Sequence, residues 1–165
     1  MSGFGSRKKD KFLQSIITSS LDNIKDNIAS RCKFNFSFMD FSQSAGQNFE
    51  AWKEDKLVKL MNKLHDYCMK PLDYWKNQRV GSGGLHVFEI YDKFPVHSDF
   101  IHPKHVPHEV LWARFRLESK TRLIDFVIPK EYRNKEQGNS GYRFDCNTFY
   151  IVFLDKDHRF YRTKK

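Results

Sequence analysis

The sequence predicts an α+β domain in which a small curved antiparallel sheet packs against a helical hairpin, with an extra amphipathic helix at the N-terminus. Three patterns predict it. Leu111, Ala113, Phe115 and Leu117 alternate with Trp112, Arg114 and Arg116, the two-residue period of a strand with one buried face. The run 148–154, TFYIVFL, reads as a central strand covered on both sides. Two further stretches, 12–28 and 49–64, place apolar residues at helical spacing.

Residues 1–11 are small, polar and basic, and are expected to be disordered. Residues 12–31 form the helical extension, with Phe12, Ile16, Ile17, Leu21, Ile24 and Ile28 on one side and Asp22, Asn23, Lys25 and Asp26 on the other. Such a face needs a surface, either the domain's own core, which is the usual fate, or a second copy in a homodimer, or another partner. The main domain spans 33–165. Phe34, Phe36 and Phe38 alternate with polar residues in a first strand. Ser42 or Ser44 then opens a helical region carrying Phe49, Trp52, Leu57, Leu60, Met61 and Leu64 on one side, and its break near 53–55 makes it a hairpin. A turn at Pro71 and the flexible KNQRVGSGG lead to a second strand at 85–91. Residues 93–108 are a long loop with Pro95, Pro103, Pro107 and four of the seven histidines, and loops of that length are commonly functional. The hairpin around Ser119 and Lys120, a polar flexible excursion at 131–144 and the final strand complete the chain.

With 165 residues the chain suits one domain with an appendage. A net charge of +9, a pI near 9.5 and a mean hydropathy of -0.69 point to a polyanionic partner, nucleic acid first. No apolar run approaches the roughly 20 residues of a spanning helix, and MSGFGSRKKDKF lacks a signal-peptide core, so no membrane partner and a cytoplasmic location are expected. Cys32, Cys68 and Cys146 lie too far apart for a CxxC motif and read as reduced thiols. GSGG at 81–84 lacks the Lys-Ser/Thr of a phosphate loop and reads as a hinge.

The register of the 111–128 hairpin decides what its arginines can do. A two-residue turn pairs Arg114 with Asp125 and puts Arg122 on the face opposite Arg116, whereas a three-residue loop aligns Arg116 with Arg122. Both remain open on the sequence.

The opening FNFSFMDFSQSAGQNFEAWKEDKLVKLMNKL, the hairpin WARFRLESKTRLIDFVI and the closing FYIVFLDKDHRFY together resemble the RelE/HigB/ParE superfamily of bacterial toxin–antitoxin toxins, across roughly residues 33–162. The resemblance implies a RelE-like sheet and, as in many members, ribosome-dependent cleavage of messenger RNA. In that reaction the messenger's 2′-hydroxyl attacks the adjacent phosphate, so no cofactor or metal is expected. Matched onto this chain, Arg116 and Arg122 stabilise the phosphate charge through fork-shaped guanidinium contacts, while His158 and Tyr161 transfer or orient protons. Arg114, Lys156, Arg159, Arg162 and Lys164 would contact RNA backbone, and Lys104, His105 and His108 would border an RNA groove. The implied partners are messenger RNA, the ribosome and a cognate antitoxin with an acidic segment. Two rival functions remain: a non-enzymatic module of the same fold that binds nucleic acid or protein, and a metal-dependent nuclease using His97, His102, His105 and His108.

Overall fold

The chain runs α1 (Arg7–Ser15), β1 (Lys33–Asn35), α2 (Glu54–Cys68), α3 (Leu72–Lys76), β2 (Arg79–Val80), β3 (Leu85–His86), β4 (Phe88–Asp92), β5 (Leu111–Glu118), β6 (Thr121–Val127) and β7 (Thr148–Asp155), in a computed structural model that describes residues 7–16 and 21–162. The fold is mixed α+β. A five-stranded sheet has the order β1-β7-β6-β5-β4, and β2 with β3 makes a separate two-stranded hairpin. Strands β4 to β7 pair antiparallel, but β1 pairs parallel with β7, which corrects the expectation of a wholly antiparallel sheet. No tight turn joins β1 to β7, so nothing forces the antiparallel sense at that edge.

Both faces of the sheet are buried. On one, Leu60, Leu64 and Tyr67 of α2 recur at helical spacing and pack on Phe88, Phe115, Leu123 and Phe149. Phe115 lies at the centre of this core, its ring 4.2 Å from Tyr67, 4.7 Å from Phe149 and 4.8 Å from Phe88. Burying such a ring contributes about 1.5–3 kcal/mol, and each well-placed aromatic pair about 0.5–1.5 kcal/mol more. The opposite face carries Trp112, Ile124, Phe126 and Phe153, and Phe100 and Val106 of the long loop cover it together with Phe160. Strand β7 therefore has protein on both sides, which accounts for its unbroken apolar run.

Two helical expectations are corrected. Residues 44–53 form turns instead of the first arm of a hairpin; there Gln47 bridges to Leu154, and the Asn48 side chain accepts the Ala51 N–H at 2.8 Å. An asparagine side chain that bonds to the backbone nearby competes with helix formation. Helix α2 starts only at Glu54, where Glu54 and Asp55 complement the helix dipole. The N-terminal extension is likewise not one helix. Helix α1 includes Arg7 to Lys11 and stops at Ser15, and Asn27, left-handed at φ 42°, separates two 3-10 turns, Ile24–Asp26 and Ile28–Ser30. Phe12, Ile16, Leu21, Ile24 and Ile28 are exposed, so packing of that face on the domain is not observed; Ile17 lies outside the described residues. The KNQRVGSGG stretch contributes β2 to a short hairpin with Gly81 and Gly84 at positive φ. Among the described residues, no helix is long and apolar enough to cross a membrane.

Asn147 joins four parts of the fold. Its carbonyl accepts the Lys33 N–H of β1 at 3.1 Å, its side-chain oxygen accepts Leu72 N–H at 2.9 Å, and its amide donates to Ser30 O at 2.9 Å. Asn147→Ala removes the two side-chain bonds and leaves a half-buried helix-start N–H unpaired. It is expected to cost about 1–3 kcal/mol, measured by urea unfolding; a loss below 0.5 kcal/mol, roughly the scatter of surface substitutions, would contradict this role.

Candidate active site

Turn and bulge together set the arginines. Ser119 and Lys120 form a two-residue turn with Glu118 opposite Thr121. Continued without interruption, that pairing would place Arg122 opposite Leu117. A bulge between Arg116 and Glu118 shifts the register instead, so Arg116 lies opposite Arg122, and Arg114 opposite Ile124. The short turn and the aligned arginines, which the sequence posed as alternatives, occur together because one extra residue is absorbed at the bulge. The Arg116 N–H donates to Val87 O at 2.9 Å, and its carbonyl accepts the Tyr67 hydroxyl from α2 at 2.5 Å, so both sides of the bulge are anchored.

Like charges directly across a sheet repel at a cost on the order of several tenths of a kcal/mol. The turn offsets this. Arg122 Nη1 donates to the carbonyls of Ser119, Thr121 and Glu118 at 2.7, 2.9 and 3.2 Å, and Arg116 Nη1 donates to Ser119 O at 3.2 Å. Arg122 is only 4% exposed, yet its Nε, like Arg116 Nε and Arg114 Nη1, is buried with no hydrogen-bond partner. Buried guanidinium N–H groups without acceptors are costly to leave so.

Arg114 does not occupy the position expected for contact with RNA. It is buried, ion-paired with Glu89 across β4, and donates from Nε to the Tyr91 hydroxyl at 2.6 Å. Nor does it pair with Asp125, since β6 presents Ile124 opposite it. Burial pushes the Tyr91 phenol up to about 12 against the pull of Arg114, so this ring stays neutral. Tyr161 stacks on it in parallel, with ring centres 5.0 Å apart.

His158 follows β7 in a turn built on Asp155, which lies opposite Arg122. The Asp155 carboxylate accepts Arg159 N–H at 2.9 Å and Phe160 N–H at 2.8 Å, and His158 between them is left-handed at φ 61°. A non-glycine residue held there costs about 1–3 kcal/mol. That strain aims the imidazole into an open cleft of about 930 Å³, whose walls also include Arg122, Lys120, Tyr161 and Arg162. Arg122, His158 and Tyr161 thus share one cleft, with Arg116 beside Arg122.

The electrostatics favour a neutral imidazole on a cationic wall. Burial chiefly, then Arg122, hold His158 below its ordinary value, with Arg114 and Arg116 acting the same way and Asp155 opposing. Burial, with Arg116 and Arg114 nearby, brings Arg122 down to about 10, which leaves it charged at neutral pH. The cleft therefore offers a proton acceptor beside a charged guanidinium.

The remaining candidates are dispersed. Arg162 lines the cleft and Arg159 does not, and both are ion-paired with Asp99 at 2.8 Å each. Lys156 and Lys104 are exposed. His105 lies 3.0 Å from Phe38 O through Nε2, and His108 stacks on His102 with ring centres 4.3 Å apart, so both serve the packing of the long loop and neither lines the cleft. His102 packs on Trp112 and Phe94. Among the described residues, no group of three or more His, Cys, Asp or Glu is placed to hold a metal ion. Lys164 lies outside the described residues. Glu89, Tyr91 and Asp155 were not assigned site roles on the sequence, and His97 was named there only as a metal ligand of the rival nuclease reading. Alternation along β4 could have revealed the first two, since Glu89 and Tyr91 share the Arg114 face once β4 pairs with β5. Comparison with protein-family models, with curated proteins and with solved structures yields no match.

Proposed function

We propose that this protein is the toxin of a type II toxin–antitoxin pair, a RelE-like, metal-independent endoribonuclease that cuts messenger RNA on the ribosome. The observation that carries the reading is the cleft itself, in which the charged Arg122, aligned with Arg116 by the bulge, shares a wall with the neutral imidazole of His158. Phosphodiester cleavage by a neighbouring 2′-hydroxyl needs a base for the attacking hydroxyl and a cationic group for the crowded phosphorane. His158, kept neutral by its surroundings, takes the proton. Arg122, charged and on the cleft wall, receives the negative charge. Tyr161 and the exposed cations Lys120 and Arg162 of the cleft hold the chain. The net charge of +9 steers a polyanion toward this surface. An acidic antitoxin segment laid across the same cleft would silence it by occupying the anion site.

Induced expression of the intact chain in a bacterium is expected to arrest growth and to produce messenger cuts that map within reading frames. His158→Ala is expected to remove both while retaining the thermal unfolding transition. Binding to RNA without cutting would instead identify a non-enzymatic module. Cutting that is lost in the presence of a chelator would point to metal-dependent hydrolysis.

A further inference from the structure

We propose that His97 is the general acid of this cleft, acting opposite His158 in the cleavage of a phosphodiester with a neighbouring 2′-hydroxyl; the proposal rests on the nuclease reading above. His97 is 61 residues away in sequence from His158, and the fold places both on the walls of one cleft with Arg122. It comes from the long loop, which is stitched to the segment that follows His158. Arg162 N–H donates to His97 O at 3.0 Å, Asp99 N–H donates to Arg159 O at 3.1 Å, and the Asp99 carboxylate binds both arginines. Backbone pairing on both sides of Ser98 makes this stretch a fixed wall.

Of the four loop histidines, His97 is the one whose ring is uncommitted among the described residues. His102, His105 and His108 are engaged with aromatic rings or carbonyls, whereas the His97 imidazole has no such partner and faces the cleft from an exposed position. The reaction needs such a group. The 2′-hydroxyl gives its proton to His158 as the 2′-oxygen bonds to phosphorus. The bond from phosphorus to the 5′-oxygen then breaks, and that oxygen takes a proton from the His97 imidazolium. The products are a 2′,3′-cyclic phosphate and a free 5′-hydroxyl, with no other reactant consumed. Tyr161 is the rival donor, but a phenol is a far weaker acid than an imidazolium near neutral pH, and its ring is stacked flat on Tyr91. The substrate class is RNA and not DNA, because the nucleophile is the 2′-hydroxyl.

The test uses an RNA carrying a single sulfur in place of the 5′-bridging oxygen at the mapped cut, presented free and on programmed ribosomes. A thiolate departs without a proton, so a missing general acid is not felt there. His97→Ala is expected to cut the ordinary linkage roughly 10²–10⁴-fold more slowly, yet to cut the sulfur linkage within a few-fold of the intact protein. His158→Ala should be slow on both. A His97→Ala protein that matches the intact chain on the ordinary linkage, or that is equally impaired on both, overturns the assignment, and rescue by sulfur in Tyr161→Phe would give the role to Tyr161. If the intact protein cuts neither RNA in either setting, the nuclease reading itself falls and takes this proposal with it.

Discussion

Arg122→Ala is expected to lower messenger cleavage by roughly 10²–10³-fold, the usual effect of deleting one donor to a developing anion. The guanidinium does two jobs, and the experiment must separate them. Nη1 closes the β5–β6 turn through three carbonyls, while the guanidinium charge acts on the cleft that Arg122 lines. Alanine removes both contributions, so some loss of stability accompanies the loss of rate. Arg116→Ala tests the other arginine of the pair at a smaller cost in stability, because Arg116 makes only one side-chain bond to that turn. A second readout follows from His158. Its value is held down by burial first and by Arg122 next, against the pull of Asp155. A base must be neutral to act, so cleavage in the intact protein is expected to persist to a lower pH than an ordinary imidazole would permit. Arg122→Ala both removes the charge and admits water, and the two effects shift the acid limb in one direction, toward higher pH. Unchanged cleavage with an unshifted limb, in a variant that still unfolds cooperatively, would remove Arg122 from the site.

The sheet was readable where periodicity is simple. Alternation along β5 and the apolar run of β7 reflect burial on one and two faces, and both predicted strands are present. The arginine alignment was not readable, because a two-residue turn and an aligned pair are incompatible until a bulge absorbs one residue, and Leu117 carries no signal distinguishing a bulged position from a paired one. The supposed first helical arm failed for a local reason, since Asn48 bonds to its own neighbourhood instead of letting residues 44–53 coil. His97 was invisible as a partner of His158, because their common cleft depends on backbone bonds between 97–99 and 159–162 that leave no periodic trace. The loop histidines are close in sequence and chemically suggestive, yet His102 packs on Trp112, His105 lies against the Phe38 carbonyl and His108 stacks on His102.

Asp125 leads to the second large effect, on stability. It sits in β6 opposite Ala113 and Ile151, completely buried in the core beneath α2, and neither carboxyl oxygen has a hydrogen-bond partner. Burial pushes its carboxyl well above the ordinary carboxylate range, so the folded protein holds it protonated. The unfolded chain releases that proton at an ordinary carboxylate value, and the consequence for pH has a definite sign. Below the unfolded value both states are protonated and the group is neutral to folding. As pH rises from there toward the folded value, only the unfolded state gains by ionising, and stability falls. Asp125→Asn removes the titration but keeps a polar group in the core, so it should flatten the decline of stability as pH rises above the ordinary carboxylate range without removing the desolvation cost. Asp125→Val removes both. It is expected to stabilise the fold at neutral pH by about 1–3 kcal/mol, the cost of a buried group left unsatisfied, read as a higher urea midpoint at constant slope. If Asp125→Asn retained the full decline, the titrating group would have to be sought elsewhere. If Asp125→Val were the less stable protein, the carboxyl would have a partner that balances its burial.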